Sequence, residues 1–529
     1  MNTKFIICFL VLISVNSFAQ YQNLIIYGSY SPNETSIMIN PKNPDIVVAG
    51  ANAFYSNSWS SYHYSTNGGL TWGNGFLISS VAFPSGDPVV IVDTLGHFYY
   101  IQNSNGSGSG GYDRHLVCKS TNSGMNWSQG VTYGKNGTKL QDKPWGCVDL
   151  THGPYGNFVY STWTEFDVYM SSNPLDSTRI LFTRSTDGGL TFSAPKRISR
   201  YGGKATDGSE TVEGAVPCIG PEGQIYVSWA GPRGICFNKS LDGGMTWMST
   251  ETDIVAPYLN GWAYDIPGFF RCNGLPVTCC DLSSGPHRGT IYVNWSDQRN
   301  GTTDTDVWLI KSTNGGQTWS SIKRVNNDPP GRHNFLCWMC VDQATGYLYF
   351  VFYDRRNTTG NANEVYIARS TNGGETFTNH KISESPFITT GYEFMGDYNG
   401  ISAHNGRVRP IWTRSSGGST LIYTAIIDSV TIGINKTGEP VPVEYSLMQN
   451  YPNPFNGSTV IKFDIPVNSE VSVGIYSLTG SHIETLVNDY LSAGAYKINW
   501  SNKNLSSGIY FYSITAGKFR DVKKMILIK

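Results

Sequence analysis

Arginine residues follow aromatic residues at four places where an apolar, strand-like segment of the chain ends. The planar guanidinium of arginine can hold a carboxylate through two hydrogen bonds, so arginines that converge on one surface could bind an anionic ligand. The alternative is that each arginine pairs with an acidic residue of a neighbouring repeat and only stabilises the fold. The four candidate ligand-binding arginines are Arg233 after Trp229, Arg299 after Trp295, Arg355 after Tyr353 and Arg414 after Trp412.

Polar residues, most of them acidic, stand where other strand-like segments begin. Carboxylic acids can act as general acids, bases or nucleophiles when their surroundings shift their pKa values. If these segments are the innermost strands of a ring, carboxylates and arginines are predicted to meet at one mouth of that ring. The residues in these positions are Asp87, Asp142, Glu213, Asn273, His333 and Asp397.

An internal repeat indicates which elements position these residues. The motif Ser-x-Asn/Asp-x-Gly-x-x-Trp/Phe occurs six times, with starts 55, 65, 55, 72 and 58 residues apart, a period that suits one four-stranded propeller blade. Its Asn or Asp can hydrogen-bond the backbone of a turn and its glycines accept positive φ, so each copy is predicted to be a hairpin turn. Ligand binding by the motifs is the alternative. The copies are Ser65 to Trp72, Ser120 to Trp127, Ser185 to Phe192, Ser240 to Trp247, Ser312 to Trp319 and Ser370 to Phe377.

A seventh set of strand-like segments follows the last motif but has no motif of its own. It contains Arg407 to Trp412 and Thr420 to Ile426. The N-terminal run from Asn23 to Tyr27 is expected to supply its missing outer strand and so close the ring. The predicted fold is an all-β propeller with seven blades, six being the alternative.

The repeated motif resembles the Asp-box, or BNR, repeat of the sialidase superfamily, in which the boxes are structural turns facing away from the active site. Retaining sialidases use an arginine triad, an aspartic acid as acid/base, and a tyrosine nucleophile assisted by glutamate. The resemblance implies these roles here: Asp87 or Asp142 as the acid, Tyr398 as the nucleophile, Glu213 as its partner, and Arg299, Arg355 and Arg414 as the clamp.

The chain departs from the family where the first arginine of that triad is expected. No Arg-Ile-Pro occurs in the first predicted blade, whose inner strand begins at Glu34. The departure favours a non-catalytic propeller that binds glycans or surface polymers, and the alternative is an active glycoside hydrolase of the exo-α-sialidase type. Trp262, in the aromatic segment Ser249 to Val277, is a candidate for stacking on a sugar, unless that segment packs over the ring instead. Neither a cofactor nor a metal is expected.

The last part of the chain changes in character after a linker rich in Pro and Gly. The run from Asn450 to Asn456, Gly494-Ala-Tyr496 and the ending Lys523 to Lys529 resemble the type A sorting domain of the type IX secretion system. The resemblance implies that the type IX machinery is a partner and that the chain is released or anchored at the cell surface. Alternating segments such as Val471 to Tyr476 predict a small Ig-like β-sandwich, with an ordinary adhesive sandwich as the alternative.

The start of the chain and its composition complete the prediction. Lys4, the apolar run Phe5 to Val15 and the exit Ser17-Phe-Ala19 are typical of a cleaved secretory signal, and no later apolar run is long enough to span a membrane. The formal net charge of −1 gives no basic surface to attract nucleic acid. The predicted parts are a signal peptide at 1–19, a propeller at 20–430, a linker at 431–441 and a sorting domain at 442–529.

Ten cysteines, or nine without Cys8 of the predicted signal, cannot all pair within one molecule. Five lie in apolar strand-like runs and are predicted to be small buried residues, with a disulfide or a metal site as the alternative. These five are Cys147, Cys218, Cys280, Cys337 and Cys340.

Overall fold

The fold was analysed in a computed structural model, which describes residues 21–56, 58–106, 111–258, 260–427, 434–437, 442–467, 469–491, 493–501 and 505–528. The predicted signal peptide at 1–19 lies outside these residues, as do the first and last parts of the predicted linker. Across the described ranges the regular structure consists of β-strands. No helix with the length and apolarity needed to cross a membrane was found in them.

Seven sheets of four or five strands, numbered here as blades 1 to 7 in the order of their inner strands, form a closed ring. The inner strand of each blade contacts the inner strand of the next, and that of blade 7 contacts that of blade 1. A closed ring of radially arranged antiparallel sheets is a β-propeller. Seven is the larger of the two blade numbers expected from the sequence.

The strands of blades 1 to 4, from inner to outer, have the following bounds. Blade 1 consists of Asn33–Ile39, Val47–Tyr55, Ser58–Ser65 and Gly73–Phe76. Blade 2 consists of Val89–Val92, Phe98–Asn105, Arg114–Ser120 and Val131–Tyr133, with Phe83–Pro84 beside its second strand. Blade 3 consists of Leu140–Val148, Val159–Phe166, Ser177–Ser185 and Lys196–Arg197, with Gly203–Lys204 beside its third strand. Blade 4 consists of Glu213–Ile219, Ile225–Gly231, Gly234–Ser240 and Thr252–Val255.

The remaining three blades repeat this order. Blade 5 consists of Val277–Cys280, Ile291–Asp297, Asp306–Ser312 and Lys323–Arg324. Blade 6 consists of Asn334–Val341, Leu348–Asp354, Ala362–Ser370 and Thr378–Lys381, with Phe387–Ile388 beside its third strand. Blade 7 consists of Gly400–His404, Arg407–Ser416, Ser419–Ile426 and the N-terminal strand Gln22–Tyr27.

The N-terminal strand closes the ring as predicted. Gln22–Tyr27 pairs antiparallel with Ser419–Ile426, so that Gln22 lies opposite Ile426. This pairing gives blade 7 its fourth strand and covers an edge that would otherwise expose unpaired backbone groups.

The second strands of the blades form the centre of the core. Four tryptophans at corresponding positions of blades 3, 4, 5 and 7 are fully buried: Trp163, Trp229, Trp295 and Trp412. Trp229, Trp295 and Trp412 are aromatic residues that precede arginines in the recurring sequence pattern, and Trp163 stands two residues before Glu165. They pack between neighbouring blades, which fixes where the charged residues after them emerge.

Each eight-residue motif forms the turn between the third and fourth strands of its blade. In the copy of blade 4, Ser240 Oγ donates a hydrogen bond to Asp242 Oδ1 at 2.8 Å, and the amide of Gly244 donates to Ser240 Oγ at 2.9 Å. Gly243 and Gly244 have φ values of 65° and 86°, which only glycine adopts without strain. The motif is therefore a self-contained turn, as its residue types predict.

The motif turns also join neighbouring blades. The carbonyl of the first glycine in five motifs accepts a hydrogen bond from a cation of the preceding blade, with blade 7 counted as preceding blade 1. The pairs are Lys119 with Gly188, Arg184 with Gly243, Lys239 with Gly315, Lys311 with Gly373, and Arg409 with Gly68. Among the described residues, the motif face thus carries a hydrogen-bonded link at five of the seven blade boundaries.

Replacing Asp242 by alanine is expected to lower the free energy of unfolding by about 1–3 kcal/mol. The substitution removes the acceptor for Ser240 Oγ and for the amide of Thr246, which donates to Asp242 Oδ1 at 2.8 Å. Denaturant unfolding of the exported propeller measures the change. The control is Leu241→Ala, because the Leu241 side chain is 66% exposed in the same turn. A stable Asp242→Ala protein that has lost ligand binding would reverse the structural assignment of the motif.

The C-terminal residues form two four-stranded sheets that share one core. One sheet consists of Ile434–Thr437, Gly494–Ser501, Ser458–Ile465 and Ser446–Leu447 in spatial order. The other consists of His482–Leu491, Ser469–Tyr476, Gly508–Ala516 and Phe519–Leu527 in spatial order. The predicted β-sandwich is therefore present. Its first strand, Ile434–Thr437, lies within the segment that was expected to be a linker. The strand was missed because it is short and is followed by Gly and Pro residues, which are typical of a linker.

The nine cysteines in the described part of the chain form no disulfide. Cys218, Cys280 and Cys337 are buried, whereas Cys147 and Cys340 are partly buried. Burial raises the pKa of each of these thiols, so they are held as neutral groups at physiological pH.

Candidate functional site

Irregularities at the start of the inner strands direct side chains towards one mouth of the ring. The pairing with the second strand shifts register after Asn33, Asp142, Glu213 and Phe335 in blades 1, 3, 4 and 6. Glu34 and Lys143 lie within these β-bulges with φ values of 49° and 47°. Residues other than glycine rarely adopt such values, and bulges commonly redirect side chains beside functional sites.

A cavity of about 330 Å³ opens at this mouth. It is formed where inner strands begin and second strands end, so it lies on the face opposite the motif turns. Its polar and charged lining consists of Ser31, Asn33, Glu34, Asn52, Ser85, Asp87, Asp142, Lys143, Arg271 and Asp397. Its aromatic lining consists of Tyr30, Phe54, Trp59, Tyr112, Tyr169 and Phe394.

Two cations lie at the base of the cavity and share one carboxylate. Lys143 Nζ lies 2.8 Å and Arg271 Nη2 lies 2.6 Å from Asp397 Oδ2. Lys143 is also 3.4 Å from Glu213 Oε1, and Arg271 is 3.4 Å from Asp207 Oδ2. Lys143, Glu213 and Asp397 are almost completely buried, so the Lys143–Asp397 pair interacts with little screening. Burial raises the pKa of Glu213, and Lys143 opposes that shift.

Three further carboxyl groups line one wall and are connected by asparagines. Asn52 donates a hydrogen bond to Glu34 Oε2 and accepts one from the amide of Asp87. Asn103 Nδ2 donates to both Asp87 Oδ2 at 2.7 Å and Asp142 Oδ1 at 2.9 Å. The two amides hold the three acids close together in a buried setting, which disfavours ionisation of all three at once.

The surroundings separate the pKa values of these carboxyl groups. Burial, with the neighbouring Asp87 and Asp207, raises the pKa of Asp142 to about 7 although Lys143 opposes the shift. Burial also raises the pKa values of Glu34 and Asp87. For Asp397 burial acts in the same direction, but Lys143 and Arg271 outweigh it and leave the pKa below its ordinary value. The cavity therefore combines Asp397, whose pKa is lowered, with Asp142, whose pKa lies near neutral pH, and such a separation is the condition for acid–base chemistry.

One group of acids has a spacing that could hold a cation. Asp142, Asp207 and Glu213 each offer a carboxylate oxygen within 4.8 Å of the others. The ammonium of Lys143 and the guanidinium of Arg271 already supply positive charge at Glu213 and Asp207.

The structure brings together only part of the site predicted from the sequence. Asp87 and Asp142 line the cavity, and Glu213 contacts it through Lys143. Tyr398 is buried and packs on Trp145 with ring centroids 4.9 Å apart, and it does not line the cavity. The structure therefore places Asp87 and Asp142 in the lining of the cavity and Tyr398 outside it.

The four predicted ligand-binding arginines do not line this cavity. Arg233 and Arg299 pair with Asp253 and Asp297 of their own blades, each at 2.6 Å. Arg355 is buried, and its guanidinium donates to Asn363 Oδ1 and to the carbonyl of Pro267. Arg414 donates to the backbone and hydroxyl of Ser385. The arginines therefore do not converge on the cavity. The expected pairing with acids of a neighbouring blade is not seen among the described residues either, because Asp253 and Asp297 belong to the blades of Arg233 and Arg299.

The aromatic segment Ser249 to Val277 packs over the ring. Trp262 is 2% exposed, and its indole donates to the carbonyl of Thr211 at 3.0 Å, so it offers no open face to a sugar. Phe270 is the exception at 61% exposure, and it contacts Phe394 at the rim of the cavity. The next residue is Arg271, so this segment contributes a cation and an aromatic ring to the site.

Lys143, Asp207 and Arg271 were not predicted from the sequence as site residues. Glu34 was noted only as the start of an inner strand that lacks the arginine expected from the family. A signal existed for Lys143, because it follows Asp142 at the start of an inner strand. Arg271 and Asp207 come from long connecting segments, whose course over the ring no local pattern reveals.

Residues 449–529 match the family model of the secretion system C-terminal sorting domain. The C-terminal segment is a secretion sorting domain. This confirms the prediction made from the Asn450 to Asn456 run and from the ending of the chain. The sorting domain marks the protein for export.

Solved structures similar to the chain include three glycoside-processing enzymes, whereas no curated protein matches it by sequence. A Hadza microbial sialidase is 12% identical with a TM-score of 0.40, covering 72% of this chain and 73% of its own. An α-L-arabinofuranosidase of Fusarium graminearum, solved with an iminosugar inhibitor, is 13% identical with a TM-score of 0.41, covering 68% and 97%. The intramolecular trans-sialidase of Ruminococcus gnavus is 14% identical with a TM-score of 0.39, covering 77% and 97%. Because these similarities are weak, the propeller assignment depends on the strand pairing, and the activities belong to those proteins.

Proposed function

We propose that the chain is an exported, sialidase-like Asp-box propeller that binds uncharged glycans in the cavity opposite its motif turns. The composition of that cavity supports the proposal. Carboxyl groups can accept hydrogen bonds from sugar hydroxyls, and aromatic side chains at the rim offer faces for the apolar side of a sugar ring. Tyr30, Phe54 and Trp59 are each between 43% and 59% exposed there.

The charge balance disfavours an anionic sugar. Glu34, Asp87, Asp142 and Asp397 line the cavity, whereas the cations that line it among the described residues are Lys143 and Arg271. Both cations are already bound to Asp397. A ligand carboxylate would therefore compete with a buried protein carboxylate, which argues against sialic acid as the principal ligand.

A glycan array probed with the purified exported protein is expected to show binding to neutral glycans in preference to sialosides. Trp59→Ala should weaken binding about tenfold, since losing an aromatic face costs roughly 1.5 kcal/mol. The matched control is Tyr201→Ala, because Tyr201 is 44% exposed and stacks under Arg233 away from the cavity. Binding restricted to sialosides and lost in Arg299→Lys would contradict the proposal and restore the arginine clamp.

A second candidate is hydrolysis of a glycosidic bond, which the separated pKa values favour. Asp142 would donate a proton to the leaving group, and Asp397 is the ionised carboxylate available as base or nucleophile. Incubation with nitrophenyl glycosides of neutral sugars tests this candidate. Activity that disappears in Asp142→Asn while glycan binding persists would identify an enzyme, and absence of activity on every glycoside would leave a binding protein.

Deletion of residues 442–529 is expected to leave a folded propeller that stays in the periplasm, because the type IX machinery recognises the sorting domain. Fractionation with immunodetection measures where the truncated protein accumulates, and limited proteolysis shows whether it is folded. Normal appearance of the truncated protein at the cell surface or in the medium would contradict the assignment of the tail to type IX export.

A further inference from the structure

Three acids meet beside the cavity opposite the motif turns. Asp142 and Glu213 lie near the start of neighbouring inner strands, those of blades 3 and 4, and Asp207 comes from the segment that joins these two blades. Each acid offers one carboxylate oxygen, and the three oxygens lie within 4.8 Å of one another. Like charges held this close in a buried setting cost free energy unless a positive group is bound between them.

Several oxygens of these acids are not bound by the protein's own donors. Glu213 is fully buried, and neither of its carboxylate oxygens accepts a hydrogen bond within the described part of the chain. The Asp207 side chain is 5% exposed, and its Oδ2 accepts a hydrogen bond from Tyr169 at 2.8 Å. Asp207 Oδ1 is buried and has no hydrogen-bond partner among the same residues. Because buried acceptors are normally satisfied, this group of oxygens is suited to a positively charged ligand.

The two neighbouring cations are held mainly by another acid. Lys143 and Arg271 lie 2.8 Å and 2.6 Å from Asp397, the ordinary distances of charge-assisted hydrogen bonds. Lys143 lies 3.4 Å from Glu213 and Arg271 lies 3.4 Å from Asp207, so these contacts are weaker. The site contains more acids than these two cations neutralise, so a further positive charge would be stabilised there. The acids are Glu34, Asp87, Asp142, Asp207, Glu213 and Asp397.

We propose that Asp142, Asp207 and Glu213 bind one Ca²⁺ ion beside the cavity. Ca²⁺ accepts irregular sets of six to eight oxygens at about 2.3–2.6 Å, which carboxylates and water can supply. Mg²⁺ requires a nearly ideal octahedron at about 2.0–2.1 Å and gives up its water reluctantly, so a buried group of carboxylates favours Ca²⁺. The three acids belong to separate segments, so no local sequence motif predicts the site.

Without Ca²⁺, the same acids reduce their repulsion by holding protons. Burial raises the pKa of Asp142 to about 7, and it also raises the pKa of Glu213. Protons and the ion therefore occupy the same oxygens in turn.

Isothermal titration with CaCl₂ of the exported protein, first freed of metal with a chelator, tests the proposal. One ion is expected to bind per chain. The melting temperature should rise with the CaCl₂ concentration, because a ligand that binds the folded state alone stabilises it. MgCl₂ should bind about tenfold more weakly than CaCl₂. Absence of calcium binding, or a preference for Mg²⁺, would overturn the inference.

Substitutions that keep the size of each ligand test the location. Glu213→Gln and Asp207→Asn each remove one negative charge from the site and should weaken calcium binding at least about tenfold. Glu210→Gln is the matched control, because Glu210 lies in the same segment as Asp207, is 56% exposed and pairs with Lys204. It should bind calcium as the parent does.

The melting curve of each variant in chelator shows whether it is folded, and the result is read from the variants that keep the parent's curve. Full calcium binding in every folded variant would place the ion elsewhere and overturn the inference. The proposal does not depend on glycan binding, and calcium itself is the ligand measured. Its failure is therefore distinguishable from failure of the glycan proposal.

Discussion

Replacing Lys143 by methionine is expected to destabilise the propeller by about 3–5 kcal/mol. The ammonium of Lys143 is 4% exposed and lies within ion-pair distance of both Asp397 and Glu213. Methionine fills much of the same space but leaves Glu213 without a cation and Asp397 with Arg271 alone. Backbone strain is similar in both proteins, because neither lysine nor methionine favours the φ of 47° at this position. Equilibrium unfolding in denaturant measures the effect.

A control and a double mutant separate the buried charge from other causes. Lys204→Met breaks an ion pair with Glu210 in which both side chains are more than half exposed, so it should cost less than about 1 kcal/mol. If charge is the cause, adding Asp397→Asn to Lys143→Met should cost much less than the sum of the two single changes. Strict additivity would show that Lys143 contributes through packing alone.

Replacing Asp142 by asparagine should stabilise the protein at pH 8 relative to the parent, with little effect at pH 4. The folded-state pKa of Asp142 is about 7, against an ordinary value of 3.8. The folded parent binds the Asp142 proton more tightly than the unfolded chain does. This contribution to the free energy of unfolding is fully present below the unfolded-state pKa, and it is lost as pH rises through the folded-state pKa. Between the two pKa values, 3.8 and about 7, the parent loses at most about 4 kcal/mol of its free energy of unfolding relative to the variant. Asparagine keeps an acceptor for Asn103 and for the amide of Lys143.

Unfolding curves of parent and variant across this pH range measure the difference directly. Asp187→Asn is a control of opposite sign, because desolvation is outweighed by turn hydrogen bonds that lower the pKa of the exposed Asp187 to about 2. The ionised Asp187 contributes to the free energy of unfolding above its ordinary pKa, and this contribution disappears as pH falls through its lowered folded-state pKa. A pH-independent difference for Asp142→Asn would mean that the pKa of Asp142 is the same in the folded and unfolded states, so that Asp142 is not available as an acid near neutral pH.

The blades were predictable because their signals are local. Each motif contains its own turn in eight residues, so Ser240 to Trp247 specifies a hairpin whatever surrounds it. The strand from Gln22 to Tyr27 was assigned to blade 7 by a different argument, namely that a ring with an uncovered edge is disfavoured. The run from Asn450 to Asn456 identified the sorting domain through its own residue types.

The site was only half predictable because its geometry is not local. Asp87 and Asp142 could be placed from the order of the blades. Lys143 and Glu34 point into the cavity because each lies in a β-bulge, and no residue pattern in the sequence predicts these bulges. The arginines failed to converge for a local reason: Asp297 lies two residues before Arg299 and pairs with it directly. Arg271 arrives from a segment that crosses the ring before it reaches Asp397.

The pairing of Gln22–Tyr27 with Ser419–Ile426 sets a condition on the order of folding. Its partners lie about 400 residues apart, so closing this contact costs more chain entropy than pairing within a blade, and we expect it to form after the intervening blades. Until then blade 7 has an open edge and the ring can widen at that seam. The seam strand begins at Gln22, so a strand near the N-terminus, which is synthesised early, is the one expected to pair last.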